Sequence, residues 1–242
     1  MRVSEYFGPS TIYLSPHRDD ICFSLGGAIS CNPGGHLINV FTRSTFAPSL
    51  SLPLDLDDRI ATVTRSRKIE DSYFAEHNRL RVHDLHFAEP AVRGISPFSS
   101  ITQCAVDAIS NELLSVIINI CNDYIASGVK VALLCPLGVG KHVDHLTVLM
   151  CILNHYKELD QVARVAFYED LPYGIAERNT KSAIAFLKEC DIFDALFRLE
   201  IPLTDQMQSE KLLQIAAYAS QKGVFPLTEI SKSEALWTEV VK

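Results

Sequence analysis

The sequence predicts an α/β fold of Rossmann-like type: a mainly parallel, doubly wound sheet with helices on both faces and additional helices toward the C-terminus. Three observations carry this. Short runs of β-branched and aromatic residues alternate with longer segments of helical period. The runs are apolar almost throughout, as in strands buried on both faces. No repeat, linker or low-complexity tract divides the 242 residues, so residues 1–242 are expected to form one domain.

In chain order, the strand-like runs are residues 11–15, 37–42, 84–87, 130–135 and 164–168. Helical spacing covers 57–77 and 101–125; in the second, Val106, Ile109, Leu113, Val116 with Ile117, and Ile120 recur at three- and four-residue steps. Further helices are expected near 176–190, 205–221 and 233–241, with a strand at 197–201. In open sheets of this kind the ligand sits beyond the carboxyl ends of the strands. The loops to inspect are therefore 16–27, 43–56, 88–100, 136–142 and 169–174.

Composition narrows the function classes. Hydrophobic residues make up 48% and charged residues 21% of the chain, the balance of a folded globular protein. Lys and Arg number 22 against 29 acids, a net charge of −7, which argues against a nucleic-acid partner. Apolar stretches such as 131–135 fall far short of the roughly 20 residues that span a bilayer, so no membrane association is expected. The first residues lack the apolar core of a secretory signal, and a cytoplasmic location follows as the expectation. Seven cysteines without a C-x-x-C pair suit reduced thiols in a core.

Two loops concentrate chemistry. Ser15-Pro16-His17-Arg18-Asp19-Asp20 follows the first strand, and Gly138-Val139-Gly140-Lys141-His142-Val143-Asp144-His145 follows the fourth. Together they offer three His and three Asp. A catalytic zinc site needs three His or carboxylate ligands and an open position, plus a free carboxylate to accept a proton from water. Either half has a plainer explanation: an Asp after a strand often caps a helix, and an Asp in a first helical turn suits the helix dipole. A phosphate loop is excluded by spacing, because Cys135 and His142 stand where Gly and Ser or Thr would be needed.

The paired motifs resemble the PIG-L/LmbE-like family of metal-dependent de-N-acetylases, marked by an H-P-D-D-E-like turn and a later H-x-D-H. Supporting matches are Gly26-Gly27, Arg67 with Glu70, Pro136-Leu137-Gly138, and Tyr168-Glu169-Asp170-Leu171-Pro172-Tyr173. Arg18 and Ile21 depart from the pattern, standing where proline and glutamate are common. The resemblance implies a zinc-dependent hydrolase, or one using another divalent ion, that removes an N-acetyl or other N-acyl group from a small amino-sugar substrate. It makes His17, Asp20 and His145 the metal ligands and Asp19 the general base. His142 would stabilise the oxyanion or protonate the leaving amine, with Asp144 orienting it. Arg67, Thr42, Arg43, Glu169 and Asp170, with Tyr173 beside them, are candidate substrate contacts, although Arg67 also fits a solvated basic face with Arg65 and Lys68. His77, His83 and His86 lack companion motifs and are read as structural. The resemblance also hints at a homo-oligomer. A non-catalytic carbohydrate-binding protein and a metallo-phosphatase are the competing readings.

Overall fold

A computed structural model describes residues 3–193, 195–224 and 232–239. A seven-stranded sheet of order β3-β2-β1-β4-β5-β7-β6 runs through it. Strands β1 (Thr11–Ser15), β2 (Gly35–Arg43), β3 (Leu80–Ala88), β4 (Val131–Pro136) and β5 (Ala163–Tyr168) are parallel. Strand β7 (Ser233–Glu239) pairs antiparallel with both β5 and β6 (Leu196–Pro202). β1 and β4 are buried along their whole length, as continuous apolar runs require.

Two cores flank the sheet. One gathers helices α3 (Gln103–Ile125), α4 (Val143–Asn154), α5 (Tyr156–Val162) and α6 (Glu177–Glu189) through residues such as Leu113, Ile117, Val148 and Leu187. The other holds α1 (Asp20–Cys31), α2 (Leu56–His77) and α7 (Asp205–Ala217) through Leu25, Phe74 and Ile215. This is the doubly wound arrangement. By length and composition alone α3 would pass as a membrane span, but its Val106, Ile109, Leu113, Ile117 and Ile120 edge is packed in the first core.

Two expectations are corrected. Residues 233–239 form a strand, not the start of a helix over 233–241; 240 and 241 lie outside the described residues. The strand is fixed by distant partners: it fills the place between β5 and β6, and Glu234 ion-pairs with Lys211 of α7 at 2.7 Å with both side chains fully buried. The loop expected over 16–27 shrinks to a tight turn, because α1 begins at Asp20. Its sequence hides the helix because it is buried from Asp20 to Ile29 and so has no polar face. Gly27 permits that burial, since a Cβ there would stand 2.9 Å from the Leu203 side chain. The thiols form no disulfide among the described residues; Cys22, Cys121, Cys135 and Cys151 are buried, whereas Cys31 and Cys104 are exposed.

Candidate active site

β1 has β2 on one side and β4 on the other, so successive connections diverge between β1 and β4. A crevice opens at such a switch point. Both chemistry-bearing loops leave the sheet there. The second turns sharply at Gly140, whose φ of +85° and whose approach to Tyr173, 2.6 Å from where a Cβ would stand, admit only glycine. That close packing, rather than phosphate binding, accounts for the glycines of this loop.

The turn after β1 is closed from within. The backbone N–H of His17 donates to Asp20 Oδ2 at 2.7 Å, which sets this carboxylate beside the His17 ring. Asp20 Oδ2 then lies 3.5 Å from His17 Nδ1 and 3.3 Å from His145 Nε2. The far nitrogen of each imidazole meets another buried carboxylate: His17 Nε2 is 2.9 Å from Asp144 Oδ2, and His145 Nδ1 is 2.6 Å from Asp170 Oδ1. Hydrogen bonds of this kind place the ring protons on the outer nitrogens and turn the lone pairs of His17 Nδ1 and His145 Nε2 inward. Two lone pairs and a carboxylate oxygen facing one another repel unless a proton or a cation lies between them. The titration directions express that demand. Burial disfavours a charge on His145, but Asp20 and Asp170 outweigh it and raise its pKa, while burial raises Asp20 despite the pull of His145. His17 falls well below its ordinary value, through burial and the positive His145 and Arg67. Two imidazoles and a carboxylate with carboxylate-backed rings form a donor set that fits a divalent ion.

His142 is the third imidazole of this group; one nitrogen from each of His17, His142 and His145 falls within 4.8 Å of the others. It caps α4, with Nδ1 accepting the Asp144 backbone N–H at 3.3 Å. This leaves the ring proton on Nε2. Burial, reinforced by His17 and His145, pushes its pKa down to about 2, so it is neutral. Asp144, expected to orient His142, turns its carboxylate instead to His17 and to Arg93; only its backbone reaches His142.

Asp19 occupies the N-cap position of α1 but makes no side-chain capping bond. Its Oδ1 accepts from Arg67 Nη2 at 2.8 Å. The plain capping explanation therefore fails, and so does the solvated basic face: Arg67 is 4% exposed and its other amino group donates to Glu89 at 2.5 Å. Burial raises Glu89 to about 7 even beside Arg67. Arg18, where proline is common, is buried too. Its guanidinium reaches Asp71 at 3.3 Å and Asp84 at 2.8 Å, and Tyr218 donates to its carbonyl, tying the turn to α2, β3 and the end of α7.

A cleft of about 210 Å³ opens beside these residues, lined by His17, Asp19, Asp20, Arg67, Glu89 and His142, with aromatic walls from Phe23, Phe46, Phe98 and Tyr173. Four of the five expected substrate contacts lie off it. Thr42 is buried with its hydroxyl 3.5 Å from His86, and Arg43 is exposed at the end of β2. Glu169 is held by Arg198 and Trp237 beside a second cavity, and Asp170 is buried against His145 and the Val139 N–H. Glu89 and Arg93 had no motif to mark them; their place just after β3, where a strand-end rule looks for ligands, was the available signal.

No protein-family model matches the chain. It is 31% identical over 169 residues to a 2'-N-acetylparomamine deacetylase of Streptomyces fradiae, covering 67% of this chain and 57% of that protein; the chain thus spans little more than half the length of the curated relative it matches. Among solved structures, a deacetylase of teicoplanin biosynthesis superposes with a TM-score of 0.68 at 16% identity, over 95% of this chain and 97% of that one. A teicoplanin deacetylase in a zinc-inhibited form gives 0.65, at the same 16% identity and the same 95% and 97% coverage. The α/β fold is therefore shared with known deacetylases.

Proposed function

We propose that this chain, whose relatives in sequence and fold are deacetylases of the PIG-L/LmbE type, is a metal-dependent hydrolase that removes an N-acetyl or similar N-acyl group from an amino sugar or its conjugate. The observation that carries the reading is the convergence of His17 Nδ1, Asp20 Oδ2 and His145 Nε2 at the β1/β4 switch point, with Asp144 and Asp170 behind the two rings. These three atoms would hold zinc or a comparable divalent ion. Such an ion supplies Lewis-acid polarisation of the acyl carbonyl and acidifies water.

The remaining chemistry falls to side chains of the cleft. Arg67 holds Asp19 Oδ1, which leaves Oδ2 to take the proton of the attacking water and later to pass it to the departing amine. His142, neutral with its proton on Nε2, donates a hydrogen bond to the developing oxyanion rather than acting as an acid. The apolar walls limit competing water.

The test compares Asp19→Asn with Asp20→Asn on N-acetylated amino sugars, reading bound metal and released acetate across several divalent ions, since a structural relative is zinc-inhibited. Asp19→Asn should keep its metal and lose roughly 10²- to 10⁴-fold in turnover. Asp20→Asn should lose metal and turnover together. Near-normal turnover by Asp19→Asn would remove Asp19 as the base.

A further inference from the structure

Building on the deacetylase reading, we propose that the cleft selects an amino sugar whose attached group is uncharged and apolar or aromatic, held across the mouth by Phe46 and Phe98. The cleft, at about 210 Å³, is smaller than the roughly 300–1,000 Å³ of sites that enclose a drug-sized ligand. It has room for about one ring beside His17, Asp19 and His142. Whatever that ring carries lies over the mouth.

The mouth is aromatic. Phe46, on the loop after β2, is 50% exposed, and Phe98, on the loop before α3, is 66% exposed. Phe98 stands with its ring 6.4 Å from that of His142, while the backbone carbonyl of Phe46 is pinned by Gln221 Nε2 at 3.1 Å. Large exposed aromatics rimming a pocket signal a ligand that covers them. Leu54 and Ile95, on the same two loops, are exposed as well.

Charge points the same way. A cationic attached group needs a carboxylate oxygen at the rim that neither an ion pair nor the reaction uses, and among the described lining residues none is left over. Glu89 gives one oxygen to Arg67 and the other to the Ser44 hydroxyl, Asp20 faces His17 and His145, and Asp19 gives Oδ1 to Arg67 while its Oδ2 is the oxygen the proposed reaction uses as base. An anionic group fares no better, because Arg67, the lining guanidinium, is spent on Asp19 and Glu89. An ammonium held at the mouth would find no spare counter-charge among the described lining residues.

The experiment uses the metal-loaded protein with free N-acetylglucosamine and its phenyl and 2-aminoethyl glycosides. Affinity is read by calorimetry and turnover by released acetate. The phenyl glycoside should bind roughly tenfold tighter than the free sugar, and the aminoethyl glycoside no tighter. Phe46→Ala and Phe98→Ala should each cut the phenyl preference about three- to tenfold, with a smaller loss on the free sugar. A tighter aminoethyl glycoside, or equal losses on phenyl glycoside and free sugar, would overturn the proposal. Absence of acetate from all three compounds would count against the deacetylase reading, while the order of affinities still decides this one.

Discussion

Replacing Arg67 by methionine removes the one cation between two buried carboxylates and keeps most of the side-chain volume. Arg67 sits 2.8 Å from Asp19 and 2.5 Å from Glu89, with both acids largely shielded from water. Breaking a buried pair by deleting one partner costs about 3–5 kcal/mol. The lower end applies, because Glu89, already raised to about 7 by burial, escapes part of the penalty by binding a proton. At about 2–4 °C per kcal/mol for a chain of this size, a loss of roughly 3 kcal/mol lowers the Tm by about 6–12 °C. The sign of the pH effect follows from the raised acid. Its folded-state pKa exceeds the unfolded value, so its contribution is present in full at low pH and is lost as pH rises through the folded value. Without Arg67 the folded value moves higher still, and Arg67→Met should be penalised more at pH 8 than at pH 6. Urea unfolding of Arg67→Met, Glu89→Gln and the double variant, all without metal, reads both effects. The double variant should be more stable than the sum of the singles implies by about 1 kcal/mol or more. Additive losses, or an Arg67→Met variant within about 1 kcal/mol of wild type at pH 8, would show that Arg67 does not hold the two acids in this way.

Two further outcomes follow from buried imidazoles. Asp170 accepts from both His145 Nδ1 and the Val139 N–H, and an amide offers one acceptor oxygen to those two donors; Asp170→Asn should weaken metal binding about 10- to 100-fold with the fold retained, as metal titration would show. His36 packs against His83 at 3.1 Å and is held down to about 4 by burial and then by the charges of His83 and Arg81. Because the unfolded chain takes up that proton first, near pH 6.5, this contribution to stability is lost as pH falls from about 6.5 to 4. Discounted for partial solvent screening, it amounts to about 1–2 kcal/mol, and a His36→Gln variant that loses as much stability over this range as wild type would contradict it.

Much of the fold and the heart of the site were legible in the order of residues. Buried parallel strands need continuous apolar runs, so 11–15, 130–135 and 164–168 announced themselves, and strand-end loops rich in His and Asp marked where ligands gather. Two features of the fold were hidden for physical reasons. α1 is buried all round and shows no amphipathic period, and β7 is a strand because β5 and β6 supply its hydrogen bonds, a fact held by residues far away in sequence.

Which residue types stand at the carboxyl ends of β1 and β4 could be read from local pattern, since pattern sets the strands and the turns between strand and helix. What each side chain faces depends on the packing of distant elements. Asp144 turned out to back His17, and Asp170 to back His145, instead of serving His142 and the substrate. Arg67 left a surface-like stretch of α2 for a buried seat between Asp19 and Glu89. Partner choice in a desolvated site is settled by charge balance among groups brought together from β1, α2, β3 and β4, and no local spacing encodes that balance.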